Sequence, residues 1–179
     1  MSRAPFLLEK TMLKMMLLML FMMFAMTTLK ADDQRAVRSL ELTINGPVDK
    51  VFQLFTPDGE TAWIPYWKWT PIYPAGKETV RDMVFRTEED TLWTLAVYEP
   101  SQRSVYVHTS PDLLARIEVE CSAIDASHTR MKITWVLTAI TPHGQQVIAH
   151  HETEEGLAKK KENWKKWLDE YCVKAGWSK

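Results

Sequence analysis

Residues 55–74 read F-T-P-D-G-E-T-A-W-I-P-Y-W-K-W-T-P-I-Y-P. Within them stand Trp63, Trp67, Trp69, Tyr66 and Tyr73, together with Pro57, Pro65, Pro71 and Pro74. Ordering a loop this aromatic costs conformational entropy that only burial or ligand contact offsets. Pro65 stops the helix before it. Pro71 and Pro74 keep the segment out of an interior strand, because proline has no N–H to give to a ladder. The stretch therefore predicts a structured rim or lid joining helix to sheet. What it covers depends on the chain to either side.

Upstream, Leu40, Leu42 and Ile44 alternate with Glu41 and Thr43 within Val37–Asn45, the pattern of a half-buried strand. Asn45-Gly46-Pro47 ends that strand and opens a helix, with Gly46 as N-cap and Pro47 at the first helical position. Val48, Val51, Phe52 and Phe55 give it one apolar stripe. Thr56-Pro57 caps a second short helix, expected over Asp58–Ile64.

Downstream the period changes to two. Met83 and Phe85 share a face within 79–87, and Trp93, Leu95 and Val97 share one within 91–98. A strand follows over 104–109. In 113–124, Ile117, Val119 and Cys121 alternate with Arg116, Glu118 and Glu120, as a one-sided antiparallel strand requires. In 130–140, Met131, Ile133, Trp135, Leu137 and Ala139 share a face. From about Gln145 the pattern is one long helix. Leu157, Lys161, Trp164, Leu168, Tyr171 and Ala175 lie along one side, Trp167 widens the stripe, and Gly156 is a weak point. A sheet with one apolar face needs a cover, and this helix is the only long amphipathic element. The expected fold is α+β of the helix-grip kind. About six to seven antiparallel strands curve around a long C-terminal helix, with two short helices after strand 1. The cavity lies between sheet and helix, with its mouth at the aromatic stretch.

The residues also resemble a known family. V-F-Q-L-F-T-P-D-G-E-T-A-W-I-P-Y-W (residues 51–67) is similar to a V-F-x-L-F-T-P-x-G-E-x-x-W-x-P-x-W stretch in an uncharacterised bacterial subgroup of the START-like (SRPBCC) superfamily. That superfamily includes polyketide cyclases, Hsp90-activator-like domains and Bet v 1-type proteins. Residues 93–100, 105–111, 117–121 and 133–144 follow in the subgroup's order, so the resemblance covers about Val37 to Tyr171. It implies a cavity for a hydrophobic or amphipathic molecule, with catalysis there in a minority of relatives. Tyr66 departs from a glycine common in the subgroup and would narrow the mouth. The lysine-rich last helix is a second departure.

The ligand-binding residues expected on this reading are Trp63, Trp67, Phe85, Trp93, Tyr106, His108, Trp135 and Trp164. Their side chains fall on the inward faces of strands, in the rim, or on the covering helix. Tyr106 and His108 share a strand face and are the only candidates for acid–base catalysis, with Tyr98 nearby. Asp82, Arg81, Arg116 and Glu118 read as surface residues. His150-His151-Glu152 with Glu154 and Glu155 has usable ligand spacing on one helix face, but no His-Glu-x-x-His and no evident third ligand. No metal and no cofactor is expected. Phosphate loops, Gly-x-Ser-x-Gly elbows and Cys-x-x-Cys motifs are absent.

Lys10 and Lys14 precede the uncharged apolar run 15–26, the core of a signal peptide within residues 1–31. The folded domain is expected over 37–175. Leu29 makes the cut before Asp32 a poor one, so an uncleaved membrane anchor is the alternative to export. Membrane contact is expected only through that segment. Beyond Ala31 the chain holds 18 Lys and Arg against 22 Asp and Glu. An acidic balance argues against nucleic acid as partner. The partner expected is a hydrophobic small molecule or lipid, and a cyclase- or dehydratase-like enzyme working in the same cavity is the alternative. Export permits a disulfide between Cys121 and Cys172; two separate thiols is the other reading.

Overall fold

The computed structural model describes residues 34–87, 91–151 and 153–177. The chain divides into two units at Gln34/Arg35, and only Gln34 of the first is described. The leader expected within 1–31 therefore lies outside the described residues. Among those described, no helix is long and apolar enough to cross a membrane.

Seven strands build the second unit: β1 (Arg35–Asn45), β2 (Trp69–Tyr73), β3 (Val84–Thr87), β4 (Leu92–Glu99), β5 (Arg103–Thr109), β6 (Leu113–Ala123) and β7 (His128–Ala139). They form one antiparallel sheet in the order β1-β7-β6-β5-β4-β3-β2. Two short helices, α1 (Val48–Gln53) and α2 (Pro57–Glu60), follow β1, and α3 (Pro142–His151) and α4 (Glu154–Lys174) follow β7. This is the helix-grip arrangement.

The alternation read in β1 places Leu40, Leu42 and Ile44 in the core against β7, in register from Arg35↔Thr138 to Asn45↔His128. The β1–α1 corner is tied to the β6–β7 turn. Gly46 N–H donates to the Ser127 carbonyl, and the Thr129 hydroxyl donates to the Gly46 carbonyl across 2.8 Å. Gly46 has φ +154, and a Cβ there would press on the Trp177 ring. Pro47 is itself the N-cap, one residue later than the sequence pattern placed it.

Three expectations need correction. The end of the aromatic stretch is not a loop: Trp69–Tyr73 is an edge strand on β3, irregular between Pro71 and Tyr73. An edge tolerates Pro71 because its missing N–H faces no partner. In β4, Leu95 opposes Tyr106 but Val97 opposes Val105, so Ala96 is an extra residue. This bulge reverses the alternation. Tyr98, not Val97, turns onto the core and meets Phe52 at 5.9 Å. The C-terminal segment is two helices rather than one. Thr153 is extended and its side chain accepts the Gly156 N–H at 3.1 Å, with Glu154 and Glu155 in the new first turn. A side-chain cap and two acids at a helix start favour restarting there.

The core buries Phe52, Phe55, Met83, Phe85, Leu95, Met131 and Leu168 almost completely. On α4, Leu168 and Cys172 are buried, and Leu157, Trp164, Trp167 and Tyr171 pack on the same cluster. Lys161 and Ala175, read as part of that stripe, are exposed. Cys121 and Cys172 are both free, buried thiols. Burial pushes Cys121 up to about 12, which leaves it inert as a nucleophile.

Candidate ligand cavity

The segment 53–60 folds into a tight turn. The Thr56 hydroxyl donates to the Gln53 carbonyl (2.8 Å) and accepts the Gly59 N–H (3.1 Å). Position 59 must be glycine, because a Cβ there would overlap the Gln53 carbonyl oxygen. Thr56, Pro57 and Gly59 of the T-P-D-G-E run thus have one joint purpose, to close α2 against α1. The turn aims the next residue, Glu60, into the space between α2 and the sheet, where it is half-buried at the cavity wall.

The aromatic rim is then fastened by its indole N–H groups. Trp63 Nε1 donates to the Leu54 carbonyl at 2.7 Å and Trp67 Nε1 to the Pro57 carbonyl at 2.8 Å. From the sheet, the Tyr106 hydroxyl donates to the Phe55 carbonyl at 3.0 Å. Rings link these pieces edge to face. Trp63 meets Trp164 of α4 at 5.2 Å, Trp67 meets Trp93 of β4 at 5.9 Å, and Trp135 of β7 meets Trp164 at 6.0 Å.

A cavity of about 170 Å³ remains between α2, the rim, the sheet and α4. Phe55, Pro57, Glu60, Ile64, Tyr66 and Trp67 line one side. Phe85, Trp93, Tyr106, Ile117, Val119, Ile133, Trp135 and Trp164 line the other. Tyr66 is largely exposed and rests on Trp167 at 5.8 Å, so the cavity opens beside it. Six of the eight residues expected to bind ligand stand in this wall: Trp67, Phe85, Trp93, Tyr106, Trp135 and Trp164. Trp63 lies behind it, buried against Phe55 and Trp164.

His108 is also behind the wall. It stacks on the Trp93 ring (4.0 Å, 24°), and its Nδ1 is buried without a partner. Burial lowers it to about 4, so it is neutral near pH 7. Tyr98 faces the core but does not line the cavity. Arg81 pairs with Asp82 at the surface (3.8 Å), and Arg116 pairs with Glu118 (2.9 Å). His150, His151 and Glu152 lie outside the described side chains. Among the described residues, no three His, Cys, Asp or Glu side chains gather as for a metal.

Sequence reasoning passed over Glu60. Its carboxyl makes no hydrogen bond or ion pair with any described residue, and among the described residues no lysine, arginine or histidine lines the wall. Burial pushes it from 4.5 up to about 8. Near pH 7 it is therefore mainly a neutral carboxylic acid, a proton donor in an apolar chamber. Burial, then the charge of Glu60, raises the Tyr106 phenol far above its ordinary range. A glutamate in the first turn of a short helix reads as a solvated dipole partner. Only the tightness of the Thr56–Gly59 turn could have hinted that it points inward.

No protein-family model matches the chain, and no curated protein matches it in sequence. Solved structures match it in fold. Ara h 8.0201 superposes with a TM-score of 0.56 at 13% identity, covering 78% of this chain and 99% of that one. The Zhui aromatase/cyclase from Streptomyces sp. R1128 gives 0.55 at 16% identity, over 76% and 93%. Norcoclaurine synthase from Thalictrum flavum, in complex with dopamine and hydroxybenzaldehyde, gives 0.54 at 10% identity, over 76% and 87%. The fold these proteins share with the chain is the one the START-like resemblance implied. At such identities they establish the architecture alone.

Proposed function

We propose that this helix-grip domain is a binding module for a small, largely apolar organic molecule held between the sheet and α4. The observation that carries the reading is the aromatic cavity itself, whose lining among the described residues holds one carboxyl, Glu60, and one phenol, Tyr106, already bonded to the Phe55 carbonyl. Its volume of about 170 Å³ is close to that of an apolar cavity known to hold benzene, roughly 150 Å³. A compact molecule of one or two rings suits it better than a long-chain lipid. The reading includes export, supported by the apolar run 15–26 behind Lys10 and Lys14.

Native mass spectrometry of the purified protein, with a calorimetric titration by indole, tests it. A co-purifying small molecule, or a saturable binding heat that Val119→Phe abolishes while circular dichroism stays unchanged, is the expected result. An empty protein that gives no binding heat with indole overturns it.

Glu60 favours a second reading, catalysis of the cyclase or dehydratase type. An acid titrating near 8 is poised for proton transfer, and it would act in place of His108, which stands behind Trp93. Loss of turnover of a bound compound in Glu60→Gln, with affinity for that compound kept, is the result that distinguishes catalysis from binding.

A further inference from the structure

The cavity is one-sided in charge. The faces and edges of Trp67, Trp93, Trp135 and Trp164 crowd it, and the faces of aromatic rings carry negative potential. Glu60 is the only ionisable carboxyl in the wall, and no cationic side chain of the described residues lines it. The indole N–H of Trp67 is already used, on Pro57. The Tyr106 hydroxyl is likewise used, on Phe55. An anionic ligand, such as a fatty acid carboxylate, would meet a carboxyl and a set of π-clouds with no cationic group to balance its charge, and only neutral donors such as the unpartnered indole N–H of Trp93 to receive it. A cation would meet a carboxylate for ion pairing and ring faces for cation–π contact, each stronger inside a protein than in water.

We infer that the cavity selects a small organic ammonium ion, its charge against Glu60 and its apolar body among the indoles. This rests on the binding reading above and names the ligand class for that site.

The inference has a proton signature. Glu60 must ionise to pair with the ammonium, so binding below about pH 8 releases a proton and the affinity climbs with pH. Other titratable groups face the site from the neighbouring elements. From β5, Tyr106 faces Glu60, and its phenol is pushed out of range by burial. Tyr98 stands behind Tyr106, and Tyr66 stands at the mouth. His108, behind Trp93, stays neutral. On the outer side of the turn Asp58 pairs with Lys77 (3.5 Å), and Lys160 of α4 sits over the Trp135 ring at 4.8 Å.

The test is a calorimetric titration of the full chain with three probes of similar shape: phenethylamine, propylbenzene and phenylacetate, from pH 6 to 9. Phenethylamine remains cationic over most of that range, as an alkyl ammonium with a pKa of about 10 does. Its affinity should rise about tenfold per unit up to pH 8 and then level. It should exceed that of phenylacetate at least tenfold. Glu60→Gln should remove both the preference and the pH dependence while propylbenzene still binds. If propylbenzene binds and phenethylamine does not, or if phenethylamine binds equally well at every pH and in Glu60→Gln, the ammonium inference is wrong and the cavity reading stands. If none of the three binds, both are wrong.

Discussion

The Tyr106 hydroxyl on β5 donates to the carbonyl of Phe55, 51 residues earlier in the chain, across 3.0 Å within the core. That bond fastens the α1–α2 junction to the concave face of the sheet. Removing it leaves a buried carbonyl without its donor, a loss of about 1–3 kcal/mol. Tyr106→Phe should therefore unfold at lower urea with an unchanged denaturant slope. The ring stays in place, so indole should still bind. An unaltered midpoint would show that the bond is not formed in solution.

Glu60 makes stability depend on pH. Its folded value, about 8, is raised above its unfolded value of 4.5. Below pH 4.5 the group is neutral in both states and costs nothing. Between 4.5 and 8 the folded state holds the proton that the unfolded state releases, so stability falls as pH rises, by roughly 1.4 kcal/mol per unit. Glu60→Gln is uncharged throughout. It should match the wild type near pH 4 and exceed it by about 4 kcal/mol at pH 8, read from urea midpoints across that range.

His108 acts in the opposite sense. Its folded value, about 4, lies below the ordinary 6.5. Between these two values the unfolded state takes up a proton that the folded state refuses, so stability is lost as pH falls from 6.5 towards 4. The two slopes oppose one another between pH 4.5 and 6.5. Wild-type stability should be nearly flat there and should decline from 6.5 to 8, where Glu60 acts alone. In His108→Phe, which keeps a ring against Trp93, the decline should begin near pH 4.5. A wild-type curve that keeps rising from pH 6.5 to 8 contradicts the Glu60 assignment, and wild-type and His108→Phe curves of the same shape between pH 4.5 and 6.5 contradict the His108 one.

Gly59→Ala should be among the most damaging single methyl additions in the chain. The new Cβ would meet the Gln53 carbonyl, which is backbone and cannot step aside. Reopening the turn releases the Thr56 cap and withdraws Glu60 from the cavity. A loss of about 3 kcal/mol or more is expected by urea denaturation. The same change at Gly76, where the space is open, should be nearly silent.

Much of this molecule is legible in local pattern. Period-two alternation in 113–124 and 130–140 gave strands that pair along almost their whole lengths. The Val48–Phe55 stripe and the Thr56-Pro57 cap gave two short helices in the right order. The single amphipathic helix left to cover the sheet implied the grip. The misread places are those where one residue changes the count or the company. Ala96 reversed the face of β4, Thr153 split the last helix, and an edge position accepted Pro71.

The sequence alone therefore determined the architecture and the aromatic wall, because alternation, capping and proline act over a few neighbouring residues. Tertiary structure alone decided which polar groups reach the cavity. His108 shares a strand face with Tyr106, yet Trp93 stacks over it and takes its place in the wall. Glu60 reads as an ordinary surface acid until the Thr56–Gly59 turn in the middle of the 55–74 stretch folds it inward. Burial there, a sum over rings from β4, β5, β7 and α4, sets its charge, and no local window of sequence contains that sum.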